Sequence, residues 1–278
     1  MTIRNNEERL GAVPNDSTPM LNQVQQDPMS FVVPTLHVDL PSQGRYYKED
    51  HPLHNQESVE IRLMTAKDED ILTSPSLIKK NLVLDRFIEN ILIDKRIKVD
   101  DLLVGDKNAI IIQSRMSGYG TDYTAALQCP SCEVSQEIEF DLEECYNLLE
   151  GGISEDCERL ENGNILVKLP QTKCECEIKL LNGKDEKSLL KKTTGKKPNE
   201  NLLTNQLKIM IVSVNGYDDQ RVIDYFVDRM PVKDAKKLRE VYITSNPSAN
   251  LITEFVCENC DHKEDLEVPL TAEFFWPK

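Results

Sequence analysis

Two stretches decide how this chain is read: Tyr123-Thr-Ala-Ala-Leu-Gln-Cys129-Pro-Ser-Cys132 and Leu251-Ile-Thr-Glu-Phe-Val-Cys257-Glu-Asn-Cys260. Each runs an apolar-polar strand pattern into a C-x-x-C turn. A second strand follows each turn, Val134 to Phe140 in the first case and the run into Leu266-Glu-Val-Pro-Leu270 in the second. A C-x-x-C at the tip of a hairpin aims two sulfurs at one point. Two such knuckles supply four thiolates in a tetrahedron, the donor set of structural zinc. The expected metal ligands are therefore Cys129, Cys132, Cys257 and Cys260, and the layout is that of a zinc ribbon. The separation is unusual, because 124 residues lie between Cys132 and Cys257. Closing so long a loop costs only logarithmically more than closing a short one, about 4 kcal/mol in all. Structural zinc is worth on the order of 10 kcal/mol in small peptides. One ion is strong enough to hold together the two ends of a large insertion. The alternatives are knuckles that fold without metal, a redox C-x-x-C, or His262 replacing a cysteine as ligand. Redox motifs favour a helix N-terminus, where the thiolate is stabilised, and strands surround both pairs here.

Working outward, 278 residues suffice for one large domain or two small ones with a tail. The hydrophobic fraction of 39% is low for a globular chain, so part of it is expected to stay unpacked. No apolar run reaches the 18 or so residues of a membrane helix. The polar N-terminus has no apolar core of a signal peptide. These readings place the protein in cytoplasm, unless it leaves within a larger particle. Eight cysteines in a reducing compartment point to metal before disulfides. Asp plus Glu number 48 and Lys plus Arg 33, a net charge of −15. Such a chain is repelled by nucleic acid and anionic lipid. The short basic cluster Lys191, Lys192, Lys196 and Lys197 reads as a solvated loop.

Residues 1–34 read as a disordered tail, rich in Asn, Gln, Asp and Pro and without period. Order is expected from Leu36, where Leu36, Val38 and Leu40 alternate as a strand. Pro41 to Gly44 is a turn, and Val59 to Met64 a second strand. Thr65 caps a helix whose first turn is acidic. Leu84, Phe87, Ile88, Ile91 and Leu92 form a one-sided helical stripe. Residues 105–117 read as another helix, stopped by Gly118. Ile165–Leu169 and Cys174–Leu181 suit a hairpin, with Cys174, Cys176, Ile178 and Leu180 on its apolar side. Leu203, Leu207, Met210, Ile211 and Val214 make a helical stripe closed by Asn215-Gly216. Val222, Ile223, Phe226 and Met230 make a second, and Ala235, Leu238, Val241 and Tyr242 a third. The expected fold class is α+β. A strand-plus-helix region over 35–120 precedes a zinc-ribbon-like region over 121–278, with 145–248 as a mixed, largely helical insertion.

No catalytic constellation is visible. There is no GxxxxGK[ST], GxSxG or HExxH. His51 and His54 have a metal-compatible spacing but no acidic partner, and read with His37 as turn residues. Cys145 and Cys157 have no partner spacing.

Several blocks in order carry a resemblance: Leu40-Pro-Ser-Gln-Gly-Arg-Tyr-Tyr47, His51-Pro-Leu-His54, Glu60 to Leu72, Leu103 to Ile110, Ser117 to Gly120, both knuckles and Phe274-Phe-Trp-Pro277. Together, over about residues 36–278, the sequence resembles the baseplate hub subunits of T4-like contractile-tailed bacteriophages, marine members especially. The resemblance implies a structural or assembly component of the tail baseplate, in the virion or in the host cytoplasm during assembly. It implies other baseplate hub proteins as partners, no small-molecule substrate and no enzymatic activity. The competing readings are a zinc-ribbon nucleic-acid adaptor, such as a phage transcription factor, and a thiol oxidoreductase. A net charge of −15 counts against the adaptor.

Overall fold

The first ordered hairpin pairs β1 (Thr35–Asp39) with β2 (Ser58–Arg62) antiparallel, so that Val38 faces Val59 and Leu36 faces Ile61. A computed structural model describes residues 33–193 and 202–276 of the chain. The tail reading for residues 1–34 falls almost wholly outside the described residues, as do Lys196 and Lys197. The loop between β1 and β2 carries the Pro41–Gly44 turn, with Gln43 and Gly44 both at positive φ.

Next come three helices, α1 (Ala66–Leu72), α2 (Pro75–Ile78) and α3 (Val83–Ile91). Thr65 precedes α1 as expected, and Asp68 is the centre of its cap. The Asp68 carboxylate accepts from the Thr65 N–H and hydroxyl, both at 2.8 Å, and from the Arg62 guanidinium at 2.6 and 2.8 Å. The amide of Asn90 on α3 reaches the same carboxylate at 2.7 Å, which ties α3 to the start of α1.

The long helix α4 (Val104–Tyr119) is the axis of the fold. Ile110, Ile111 and Ile112 are all buried, so no single face of this helix is the apolar one, and a helix of that kind belongs inside. It packs against β1 and α3, and further along the chain against α6 (Gly183–Thr193) and β10 (Ser248–Val256). Gly105 permits the closest approach: a Cβ there would lie 2.1 Å from the Pro247 carbonyl oxygen. The helix runs past the expected stop. Gly118 stays helical against Met64, and Gly120 ends the helix at φ +83°, a conformation that costs glycine little.

Hairpin β3 (Asp122–Gln128) and β4 (Ser135–Asp141) leads through a short turn, α5 (Leu142–Cys145), to β5 (Tyr146–Leu149). The expected hairpin is present as β7 (Ile165–Lys168) with β8 (Glu175–Ile178). It grows to a four-stranded sheet in the order β6-β7-β8-β9, through β6 (Cys157–Arg159) and β9 (Ile211–Val214). Cys176 is fully buried across from Val167, as the period-two reading required, while Cys174 is half-buried.

Strand β9 corrects the Leu203–Val214 stripe. Helix α7 (Leu202–Met210) ends at Met210, and Ile211 to Val214 extend along β8. Ile211, Val212 and Val214 are β-branched, and the open edge of β8 wins over continuing the helix. Asn215-Gly216 then closes a strand, not a helix. Lys191 and Lys192 also depart from the loop reading, since they lie in α6 (Gly183–Thr193). Helices α8 (Gln220–Arg229) and α9 (Val232–Ser245) match their stripes. The chain closes with β10 (Ser248–Val256), β11 (Lys263–Glu267) and a 3-10 turn at Ala272–Phe275. The main apolar core draws on Val38, Phe87, Ile110, Val167, Leu238, Leu251 and Phe275. The region between the two knuckles therefore contributes to the same core as the rest.

Candidate metal centre

The two hairpins β3-β4 and β10-β11 face each other and share a core of their own. Leu127, Phe255, Cys129 and Cys257 are buried there, with Ala125, Ile138 and Leu266 packed around them. Strand alternation explains the set. Tyr123, Ala125 and Leu127 lie on one side of β3 opposite Phe140, Ile138 and Gln136, while Glu137 and Glu139 turn outward.

The knuckles are built alike, residue for residue. The Cys129 N–H donates to the Val134 carbonyl at 2.9 Å, and the Glu133 N–H donates back to the Cys129 carbonyl at 2.9 Å. In the second knuckle the Cys257 N–H donates to the His262 carbonyl at 2.9 Å and the Asp261 N–H to the Cys257 carbonyl at 3.0 Å. Glu133 and Asp261 hold equivalent left-handed positions, with φ of 61° and 55°. Each loop thereby turns both of its sulfurs toward the other loop.

All four Sγ atoms of Cys129, Cys132, Cys257 and Cys260 lie within 4.8 Å of one another. The cross-knuckle pairs are tight, 3.7 Å for Cys129–Cys260 and 3.6 Å for Cys132–Cys257. A tetrahedron with zinc–sulfur arms of about 2.3 Å has edges of about 3.8 Å. The geometry fits a metal ion of that size. The donors are four soft sulfurs with no carboxylate among them, which selects zinc over the hard cations. Cys129 and Cys257 are buried, Cys132 half-buried and Cys260 exposed, so an ion has a path in.

The electrostatics point the same way. The thiol of Cys132 is held down to about 6, first by the Val134 N–H and then by the Asn259 side chain. At Cys260 the His262 N–H favours the thiolate, but burial and the three neighbouring sulfurs outweigh it and push the thiol up to about 12. Four sulfurs this close cannot all carry charge in the absence of a cation. A divalent ion removes that conflict.

His262 is not among the clustered ligands. Its ring nitrogen Nε2 lies 3.2 Å from Glu264 Oε2, and its part in the knuckle is played by its backbone. Cys145, Cys157, Cys174 and Cys176 are free thiols away from the cluster. His51 and His54 sit in the β1-β2 loop. His51 stacks on Tyr47 at 4.3 Å and accepts from the Leu53 N–H, while His54 Nδ1 lies 2.7 Å from the Tyr47 carbonyl.

Three side chains that sequence reading passed over hold the site or the helix that leads to it. Gln136 bridges the hairpins: its amide donates to the Val256 carbonyl at 2.8 Å and accepts from the Glu258 N–H at 3.0 Å. Arg115, fully buried on α4, donates to the carbonyls of Gly120 at 2.8 Å and Phe274 at 3.3 Å, and lies over the rings of Tyr119 and Tyr123. It fixes the exit of α4 where β3 begins. Asp106, also on α4 and fully buried, accepts from the Ser42 N–H and hydroxyl and from the Tyr47 hydroxyl. Only Gln136 had a signal, its place on the inner side of β4.

The fold and this centre define an α+β protein with a four-cysteine cluster between two hairpins. In comparisons with known proteins, residues 33–276 match the model of one family, T4 bacteriophage base plate protein. The chain belongs to that family. Comparison with curated proteins and with solved structures gave no match. Among the described residues, no helix is long and apolar enough to cross a membrane.

Proposed function

We propose that this chain is a structural or assembly component of the baseplate hub of a contractile-tailed phage, of the marine kind, and that it acts through protein–protein contact and not as an enzyme. The observation that carries the reading is the family match across nearly the whole described chain. In the same reading Cys129, Cys132, Cys257 and Cys260 hold one zinc ion as a structural clasp. The supporting evidence is the tetrahedral spacing of the four sulfurs and the all-thiolate donor set. The ion supplies a rigid joint and no chemistry: with four protein ligands, no coordination position is left for a substrate. In this arrangement residues 145–248 form an insertion between the two halves of the ribbon.

The protein then belongs in the tail baseplate, or in the host cytoplasm while that baseplate assembles, with other hub proteins as its partners. The nucleic-acid adaptor is disfavoured by the charge of −15. Mass spectrometry of purified virions tests the reading, together with an amber mutant in the gene. The protein is expected either in the tail at a fixed copy number, or absent from the virion but required for baseplates to form. A mutant that builds normal baseplates and normal virions would overturn it.

A further inference from the structure

The negative charge of this chain is concentrated in one place. Between Arg115 and Arg159 there is no Lys or Arg. The two hairpins, residues 122–141 and 248–267, hold eleven carboxylates and a single cation, Lys263. That is a formal charge of −10 in 40 residues, against −15 for the whole chain. The outward side of β10-β11 shows how the carboxylates are set. Across the ladder Ile252 pairs with Glu267, Glu254 with Asp265 and Val256 with Lys263. Glu254 and Asp265 are like charges placed directly opposite, an arrangement that destabilises a sheet. Among the described residues no ion pair or hydrogen bond is made by the side chains of Glu254, Asp265 or Glu267. Ile252 and Val256 stand between them, 37% and 40% exposed. In the three-stranded sheet β11-β10-β5, β11 is an outer strand with one edge unpaired.

Carboxylates without an ion-pair partner on the outward face of β11, and Leu266 on its other face, beside an open strand edge, match one kind of partner. We propose that this sheet face docks an extended segment of another protein in which Lys or Arg alternates with apolar residues, laid along β11. Its backbone would pair with the free edge. Every second side chain of such a strand lies on the outward face, where its cations would answer Asp265 and Glu267 on β11 and Glu254 one strand further in, while the apolar residues between them turn to the other face, beside Leu266. The same charge repels nucleic acid. The like-charge pair is then a stability cost retained because a partner relieves it. This inference deepens the protein–protein reading above and rests on it.

The test uses the full chain with zinc bound and a twelve-residue peptide of alternating Lys and Val, followed by fluorescence anisotropy at low salt. A triple variant, Glu254→Gln, Asp265→Asn and Glu267→Gln, is compared with a control triple of equal charge change, Glu155→Gln, Glu158→Gln and Asp218→Asn. The face variant is expected to weaken the peptide about tenfold and the control less than about twofold. The face variant should also melt no lower than wild type, because it loses a repulsion. A peptide of the same composition with all Lys at one end and all Val at the other is expected to bind several-fold more weakly than the alternating one. Equal weakening by both variants, equal binding of both peptides, or no binding by wild type would overturn the proposal. None of these outcomes bears on whether virions or baseplate assembly need the protein, so the two readings fail separately.

Discussion

Removing the metal should open the ribbon and leave the rest of the chain folded. The reason lies in two separate cores. Between the hairpins the buried apolar residues are Leu127, Phe255, Cys129 and Cys257, whereas the main core runs from Val38 to Phe275 and takes from the hairpins only their far ends, Ala249 and Leu251 with Tyr123 and Phe140 packed against it. Two-stranded hairpins are marginal by themselves in water. A structural zinc is worth on the order of 10 kcal/mol in isolated peptides, about as much as the whole stability of a domain. With the ion bound, the hairpins should exchange their amides only when the whole domain unfolds. Without it, local opening takes over. The assay is hydrogen exchange with and without a strong chelator at neutral pH. Amides of residues 123–140 and 253–266 are expected to lose at least about 100-fold in protection, near 2.7 kcal/mol. Amides of α3, α4, β7 and β8 should change little. Loss of protection across all elements together would refute the two-core reasoning, and unchanged protection in the hairpins would refute the metal's role.

Other predictions are of the same kind. Gln136→Ala, which removes both bonds between the hairpins, should cost about 1–2 kcal/mol of hairpin stability and leave the main core's exchange unchanged. Asp106→Ala strands three buried donors and should cost about 3–5 kcal/mol in urea unfolding, with Tyr47→Phe costing about 1–2 kcal/mol. Asp68 sets an acid limit. Burial alone would raise its carboxyl, but Arg62, Thr65 and Asn90 outweigh burial and hold it at about 2. Its folded value is depressed, so its contribution of about 2 kcal/mol is present above the ordinary value near 4 and is lost as pH falls through about 2. Asp68→Asn should flatten stability against pH across that window. Gly105→Ala drives a Cβ into the Pro247 carbonyl and should cost at least about 2 kcal/mol, read as a lower thermal midpoint.

Period and punctuation carried much of the fold. The alternation around Val38 and Val59, the stripe through Phe87 and Ile91, and both knuckles are local patterns, and local patterns survive folding. The four cysteines were legible for a further reason: the spacing of each pair and the strands around it already state the geometry of half a tetrahedron. The failures lie where a distant neighbour decides. Ile211 to Val214 fit a helix by spacing, yet β8 offers an edge that their branched side chains suit better. Gly118 suits a stop by its residue type, but it stays helical with Met64 packed close against it, and Gly120 takes the positive φ that ends the helix. Arg115 and Asp106 are charged residues buried on an otherwise apolar helix. Their partners, the carbonyl of Phe274 and the loop at Ser42, lie 159 and 64 residues away. No local signal announces contacts across such distances.

The most direct test of the account is the metal content of the purified full-length protein, read by native mass spectrometry alongside elemental analysis. One zinc ion per chain is expected, and it should be lost or weakened in each of Cys129→Ser, Cys132→Ser, Cys257→Ser and Cys260→Ser but kept in Cys145→Ser and Cys176→Ser. A wild-type protein that contains no metal when purified without chelator, takes up none when zinc is offered, and shows the same hairpin protection throughout would contradict the clasp.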